Sequence, residues 1–383
     1  MRTARVNFDH QSGAEPLPEV LAAMEPWMRH TPNPGRFHRE ALSARQALAA
    51  AREQLASFLK ADSPEQIIFT SSATEALNLA VKGCAWASQS QGRHIIFTAT
   101  EQAAIRESIR FLEGQGFVTT KLGVDAEGRI SPEAVRAAMR ADTILICVHH
   151  ANLDLGTIQD VSSIGAVARD AGVPLLVDAV ASGGWLPLDV EQLGASLLVV
   201  SPHTFGGPRG VGVLYRHRRA RLTSLLHGGG QEGGRRAGAE NIASIAGAGI
   251  SAQTTGSTLP SRADHARVLT TKLWAELHQA MPEIKLNGPV PGPGRVPNNL
   301  NISVPNVEAE GMAIALDMRG FAVASGSSCL GKSLKIPPAL EAIGCPPSHA
   351  LGNLILTLDW SNTSEEIERF VKTLREVVSL LRV

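Results

Sequence analysis

The chain has few cysteines, few aromatic residues and no excess of either charge. Its 383 residues include 4 cysteines, and aromatic residues make up 4%. The cysteines share no CxxC or zinc-like spacing, so we expect neither a disulfide framework nor a bound metal. Basic and acidic residues number 36 each, which gives a formal net charge of zero and does not indicate a nucleic-acid partner.

Long hydrophobic runs are also absent. The first residues, "MRTARVNFDHQSG", turn polar at once, and no segment approaches the roughly 20 apolar residues of a membrane span. We therefore expect a cytoplasmic protein that does not contact a membrane. A chain of 383 residues can bury a large core and should form two domains.

What is present is a regular alternation of apolar strands with helices. The stretches "QIIFT", "HIIFT", "TILICVHH", "PLLVD" and "LLVV" read as buried strands, and most are followed by a helical pattern. This rhythm predicts a mainly parallel sheet covered on both faces. After about residue 245, shorter strand signals and a final helix predict a smaller α+β domain. We assign residues 1–245, with the N-terminal arm, to the large domain and residues 246–383 to the small one.

The final helix has a recognisable start. "TSEE" places Thr363 at the N-cap and Glu366 where it can close a capping box. Helical spacing then predicts one apolar face, made of Ile367, Phe370, Val371, Leu374, Val378 and Leu381.

Polar side chains follow the ends of the strands in the large domain. Because ligands of parallel sheets bind at the carboxyl ends of strands, these side chains should meet in one crevice. They are Thr74, Gln102, His149 to Asn152, Asp178, and Ser201 to His203.

Six collinear segments together resemble the cysteine desulfurases of the class V aminotransferase family: "FTSSATEALNLAVKG", "LGTIQDV", "VDAVASGGWLPLDV", "SPHTFGGPRGVGVLY", "HGGGQEGGRRAGAEN" and "SGSSC". The resemblance covers nearly the whole chain. It implies the α/β fold of a fold-type I aminotransferase and a homodimer. It also implies an enzyme class that uses pyridoxal phosphate to take sulfur from cysteine.

The resemblance also exposes departures at positions that hold the cofactor and the substrate. The lysine that forms the Schiff base should follow His203, where Thr204 stands, and a hydroxyl cannot form an imine. In the family, an arginine that pairs with the substrate carboxylate should lie near the position that Ile355 occupies in this chain. Four further cofactor-contacting positions differ and are occupied by Gln102, Leu153, Ala181 and Ala239.

Other family positions are kept. By the resemblance, Thr74 lies at the phosphate, Asp178 pairs with the pyridine nitrogen, and Ser201 and His203 complete the remnant pocket. Cys329 is the loop cysteine that would carry a persulfide, and nearby Lys332 would favour its thiolate.

These features lead us to expect a degenerate homologue without standard pyridoxal-phosphate desulfurase activity. It would act in sulfur handling or iron–sulfur assembly, accepting a persulfide on Cys329 or binding a sulfur-acceptor or assembly partner. We expect no covalently bound cofactor. One alternative is an enzyme of the desulfurase or C–S lyase type that holds pyridoxal phosphate non-covalently, or uses a recruited Lys332 or Lys335. Another is a purely structural subunit that pairs with an active paralogue.

Two weaker hypotheses concern other ligands. His149, His150, Asp178 and His203 end neighbouring strands and could face a divalent metal, although no short-range ligand motif supports one. The glycine-rich loop 227–241 predicts an element of the dimer interface, in which Arg235 and Arg236 could bind an anion.

Overall fold

The structure is a computed structural model that describes residues 5–30, 32–326 and 336–382. Its strands are β1 (Val6–Phe8), β2 (Ile67–Thr70), β3 (His94–Thr98), β4 (Val118–Leu122), β5 (Thr143–His149), β6 (Leu175–Asp178), β7 (Leu197–Val200), β8 (Gly212–Arg216), β9 (Lys285–Leu286), β10 (Asn299–Ser303), β11 (Phe321–Ser325) and β12 (Asn353–Thr357).

The α-helices of the described residues are α1 (Pro18–Arg29), α2 (Arg39–Phe58), α3 (Ala73–Ser88), α4 (Ala103–Glu113), α5 (Pro132–Ala138), α6 (Val161–Asp170), α7 (Ile242–Ala280), α8 (Ala309–Asp317), α9 (Pro338–Ala342), α10 (Pro347–Ala350) and α11 (Ser364–Leu381). No helix in these parts of the chain is apolar over a length that could cross a membrane.

Seven strands form one sheet in the order β2-β8-β7-β6-β5-β3-β4. The pairs from β7 through β4 are parallel, while β8 runs antiparallel to both of its neighbours. Strands β5, β6 and β7 are buried along their whole length because helices cover both faces of the sheet. The predicted mainly parallel α/β fold is confirmed.

A second sheet has the order β1-β11-β12-β10-β9 and packs against α7, α8 and α11. Its edge strand β1 comes from the N-terminal arm and pairs in parallel with β11, with Val6 opposite Phe321. The arm therefore hydrogen-bonds to the smaller sheet. Residue 245 lies inside the 39-residue helix α7, which runs on through Ala280. The division at residue 245 stays a prediction.

Helix α11 closes the smaller core in the predicted way. The Glu366 N–H donates to Thr363 Oγ1 at 3.3 Å, and the Thr363 N–H donates to Glu366 Oε2 at 3.1 Å, which completes the capping box. The predicted apolar face is buried from Ile367 to Val378, but Leu381 is 39% exposed. Leu381 ends the helix, beyond the last turn that packs on the core, so its assignment to the buried face is wrong.

Candidate functional site

The candidate site lies at the carboxyl edge of the larger sheet, around Asp178. Asp178 ends β6, is 4% exposed, and lies opposite His149 of β5 in the strand register. Its Oδ1 accepts the N–H of Val180 at 3.0 Å. Burial raises the pKa of Asp178 to about 6, against hydrogen bonds that lower it. A buried carboxyl group at a strand end is the arrangement that the sequence predicted here.

Gln102 donates a hydrogen bond to the other oxygen of the Asp178 carboxyl group. It is the N-cap residue of α4, but its side chain does not cap the helix and instead donates through Nε2 to Asp178 Oδ2. Both oxygens of Asp178 therefore have partners within the chain. The two residues belong to the loops after β3 and β6, so the structure brings together two predicted site positions that are 76 residues apart.

Ser201, His203 and Thr204 follow β7 in a single 3-10 turn. The Ser201 hydroxyl lies 2.7 Å from His203 Nδ1, and burial together with Arg209 lowers the pKa of His203. The Thr204 hydroxyl lies 2.9 Å from the carbonyl of Ser201 and 3.2 Å from that of Val180. Thr204 therefore contacts the backbone of this turn through its hydroxyl, and position 204 offers no amine to the crevice.

A buried network beneath the crevice was not predicted from the sequence. Glu101 is fully buried, and its Oε1 accepts bonds from the Thr98 hydroxyl at 2.7 Å, the His149 N–H at 3.1 Å and His149 Nδ1 at 2.9 Å. Burial opposes protonation of His149, but the Glu101 carboxylate outweighs it and raises the pKa of this histidine. Glu101 precedes Gln102 directly, so the network fixes the loop that carries Gln102. A charged residue in the short segment between a buried strand and a helix was the available signal.

The side chain of His150 contacts a different residue from the one that the adjacent His149 contacts. Its Nδ1 lies 3.0 Å from the Ser182 hydroxyl, and burial, with His149 next to it, lowers the pKa of His150 to about 4. His149 is held by Glu101 and Gln159, and Asp178 by Gln102 and Val180. Among the residues that the structure describes, no group of three or more histidine, cysteine or acidic side chains is placed to hold a metal.

The first turn of α3 lies at the same edge of the sheet. Ser72 caps it by accepting the Glu75 N–H at 3.2 Å, and Glu75 pairs with Arg236 at 2.8 Å. Thr74 is exposed in this turn. A Cβ atom on Gly212 would lie 2.2 Å from the backbone of Ser72, so this position needs glycine for β8 to pass so closely.

The glycine-rich loop 227–241 packs beside α3. Glu232 accepts two hydrogen bonds from Arg52, at 2.7 and 2.8 Å, and Arg236 is engaged with Glu75. Ala239 is exposed and lines a cavity of about 150 Å³ with Ser71 and Arg236. In this arrangement Arg236 already has an acidic partner, so an anion would compete with Glu75 for it.

Three of the departed positions meet in a second, narrow cavity. Leu153, Ala181 and Thr204 line it, together with His10 and Gln11 of the N-terminal arm. His10 and Gln11 were not assigned to the site from the sequence, although the resemblance places the family's substrate loop at the adjacent segment "SGAEP". The position of His10 and Gln11 follows from the pairing of β1 with the smaller sheet, which carries the residues after β1 to the crevice.

The predicted persulfide residue Cys329, and the lysines Lys332 and Lys335, lie outside the described residues. The remaining cysteines are buried and unpaired, in agreement with a packing role for them. Burial raises the pKa of Cys84 to about 12 and the pKa of Cys147 well above its ordinary value, which makes thiolate chemistry unfavourable at both.

Comparisons with known proteins agree with this fold. A family model for Aminotransferase class-V matches residues 6–370. The cysteine desulfurase IscS of Dictyoglomus turgidum is 36% identical over 378 residues, covering 98% of this chain and 95% of the relative. IscS of Serratia proteamaculans is 39% identical over 349 residues, covering 91% and 85%. A solved NifS-like protein superimposes with a TM-score of 0.92 at 30% identity, covering 98% of this chain and 100% of its own. SspA in complex with cysteine gives a TM-score of 0.81 at 31% identity, covering 93% and 99%.

The expectation that no cofactor is held covalently is wrong. It rests on Thr204 and on the other departed positions, whereas the relatives are cysteine desulfurases, the class for which the resemblance implies covalently bound pyridoxal phosphate. The residues present fit two parts of this cofactor: the Asp178 carboxyl suits a pyridine nitrogen, and the first turn of α3 suits a phosphate. Residue 204 does not fit as the source of an amine, and no lysine lines the cavity beside it within the described residues.

The family model spans nearly the whole chain, and the relatives cover it from end to end at more than one third identity. The superposition with the NifS-like protein agrees with that match. The chain belongs to the class V aminotransferase family.

Proposed function

We propose that this chain acts in sulfur handling or iron–sulfur assembly as a persulfide-accepting or partner-binding protein that uses Cys329. Its resemblance to cysteine desulfurases supports the sulfur chemistry. In this proposal the standard lysine-dependent removal of sulfur from cysteine is not its main activity. The proposal does not require that pyridoxal phosphate be absent.

The observation that carries the proposal is the environment of Thr204. Its hydroxyl lies within hydrogen-bond distance of two backbone carbonyls, and its side chain is 8% exposed. A threonine in this position supplies neither an amine that could form an imine nor a base of suitable pKa for moving a proton. Position 204 therefore lacks the lysine amine that, by the resemblance, the family provides there.

The transfer step itself needs only a thiolate and a donor. The Cys329 thiolate attacks the outer sulfur of a donor persulfide, a new sulfur–sulfur bond forms on Cys329, and the donor's sulfur–sulfur bond breaks. The electron pair of that bond leaves with the donor thiolate, so no external oxidant or reductant is needed. The segment "SGSSCLGKSLK" offers small polar neighbours and two ammonium groups, which favour the thiolate form.

The proposal includes a homodimer in the cytoplasm that passes sulfur to an acceptor or iron–sulfur assembly protein. The partly buried ion pair between Arg52 and Glu232 supports the homodimer, since it ties the loop 227–241 to helix α2. A loop with a fixed shape costs less conformational entropy to place in an interface.

The test is persulfide transfer measured by mass spectrometry. After incubation with a small-molecule persulfide, the peptide that contains Cys329 should gain the mass of one sulfur atom. Cys329→Ser should abolish this gain. Cys345→Ser removes a buried thiol and serves as the matched control, which should leave the gain unchanged. A mass gain that persists in Cys329→Ser would rule the proposal out.

A second candidate function has its own supporting observation. Asp178, with its buried carboxyl group, and the pair of Ser201 and His203 are arranged as a cofactor pocket would need them. An enzyme of the desulfurase or C–S lyase type would use pyridoxal phosphate there, with Lys332 or Lys335 as the source of the amine. Borohydride reduction followed by peptide mapping separates the candidates, because a pyridoxyl group on either lysine would favour the enzyme.

A further inference from the structure

A groove opens at the amino edge of the larger sheet, at the opposite ends of the strands that carry the candidate site. Strands β6 and β7 begin at this edge, at Leu175 and Leu197, and the antiparallel strand β8 ends there at Arg216. The groove has a volume of about 500 Å³. Sites for small molecules have roughly 300–1,000 Å³, so a ligand of nucleotide size has room here.

The groove is lined by arginines that have no acidic partner. Arg218 and Arg219, from the segment "RHRRAR" at 216–221, line it together with Arg169 of α6. All three are exposed, and none of them forms an ion pair with any residue that the structure describes. Elsewhere, exposed Arg110 pairs with a glutamate one turn away at 2.7 Å. The groove therefore presents positive charge that the described chain does not itself pair.

The backbone that carries these arginines is held in place by hydrogen bonds. Arg216 Nη1 donates to the carbonyl of Ala220 at 2.6 Å and to that of Arg218 at 3.3 Å. The Ala220 N–H donates to the carbonyl of His217, and the His217 N–H donates to that of Ser196, both at 2.8 Å. A fixed backbone reduces the conformational entropy that a ligand must remove when it binds.

His217 adds a hydrogen-bond donor to the same lining. Its Nδ1 accepts the backbone N–H of Arg219 at 3.3 Å. Burial, together with the charges of Arg219 and Arg218, lowers the pKa of His217, so its ring is neutral at pH 7. A neutral ring whose Nδ1 accepts carries its proton on Nε2, and this N–H can donate to an anion.

Two carboxylates restrict which anion the groove suits. Asp62 and Glu191 also line it, and they would repel the successive phosphates of a nucleic-acid strand. Because an ionised carboxylate only accepts hydrogen bonds, it suits the hydroxyls of a sugar. Val173, Pro174 and Val190 supply an apolar wall. This lining suits a small molecule that combines one anionic group, hydroxyls and an apolar part.

We propose that this groove binds a phosphorylated small molecule of nucleotide size. Its phosphate contacts Arg169, Arg218 and the His217 ring, since guanidinium groups match phosphate oxygens in geometry as well as in charge. Its sugar hydroxyls donate to Asp62 and Glu191. The groove lies at the far ends of β6 and β7 from the candidate site, so this binding is independent of the proposed sulfur function.

The experiment is calorimetric titration of the full-length protein with adenosine 5′-monophosphate in phosphate-free buffer. We expect one nucleotide to bind per chain, and adenosine, which lacks the phosphate, to bind about 10-fold more weakly or worse. Combining Arg169→Gln with Arg218→Gln should weaken nucleotide binding by about 10-fold or more. Arg375→Gln is the matched control and should change nothing, because Arg375 is an exposed residue of α11 that has no ion pair in the described parts of the chain.

A second comparison tests the carboxylates. The wild type should prefer the nucleotide over its 2′,3′-dideoxy form, and replacing Asp62 and Glu191 with alanine should remove that preference. Binding that survives the double arginine variant would overturn the groove as the site. Inorganic phosphate that binds as tightly as the nucleotide, or a single-stranded oligonucleotide that binds more tightly, would overturn the small phosphorylated ligand. The persulfide test reads Cys329, so failure of this site and failure of the proposed function are separate results.

Discussion

Replacing Asp178 with asparagine should stabilise the folded protein above pH 6 and lower its stability by about 1–2 kcal/mol below pH 4. Burial raises the pKa of Asp178 from 3.8 to about 6. Between these values the folded state keeps a proton that the unfolded state has released, so stability falls as the pH rises through this range. Once the carboxyl group is ionised in the folded protein, the loss amounts to about 3 kcal/mol.

An asparagine removes the charge and keeps the size of the side chain. Its single oxygen can accept from Val180 or from Gln102, but its amide cannot replace the second carboxylate oxygen. The lost bond is worth about 1–2 kcal/mol. We therefore expect a net gain of about 1–2 kcal/mol at pH 8. The site would then be a place where the fold gives up stability to keep an ionisable group.

Urea unfolding at pH 4 and pH 8, followed by circular dichroism, measures this effect on protein free of added ligand. Asp189→Asn is the control with the opposite sign, because the backbone N–H of Gln192 lowers the pKa of Asp189, so its removal should reduce stability at pH 8. Gln102→Ala should extend the fall in stability to a higher pH, because the Gln102 side chain lowers the pKa of Asp178 in the folded protein. An Asp178→Asn protein that is less stable than the wild type at pH 8, or equally stabilised at pH 4, would refute the reasoning.

Three further predictions address other parts of the chain. Arg262→Met should cost about 3–5 kcal/mol in urea unfolding, because it leaves the carboxylate of Asp359 buried without its partner. Arg267→Met, which removes an exposed ion pair from the same helix, should change stability by less than about 0.5 kcal/mol, and equal losses would contradict this. Light scattering should show a dimer, and mutations in the loop 227–241 should weaken it, whereas a monomer would exclude that interface. Thr204→Lys alone should not give substantial sulfide release from cysteine, since other cofactor contacts also differ, and a clear gain in sulfide would show that those contacts matter little.

Local sequence pattern was sufficient for most of the fold. The apolar runs of β5, β6 and β7 and the helical spacing of α11 predicted elements that the structure confirms, because the spacing of apolar residues within a short segment reflects which of its faces are buried. Strand polarity alone placed Asp178 and Ser201 at one edge of the sheet. The exposed end of α11 at Leu381 was missed because helical periodicity does not show where the supporting core stops.

The sequence by itself determined that position 204 carries a hydroxyl, since no packing can turn a threonine into an amine. It also determined the class of fold. Only the tertiary structure decided that Gln102 would contact Asp178 and that His10 would line the same cavity as Thr204. These contacts join residues far apart in the chain. They depend on the relative placement of loops and of the edge strand β1, for which the sequence around each residue carries no periodic signal.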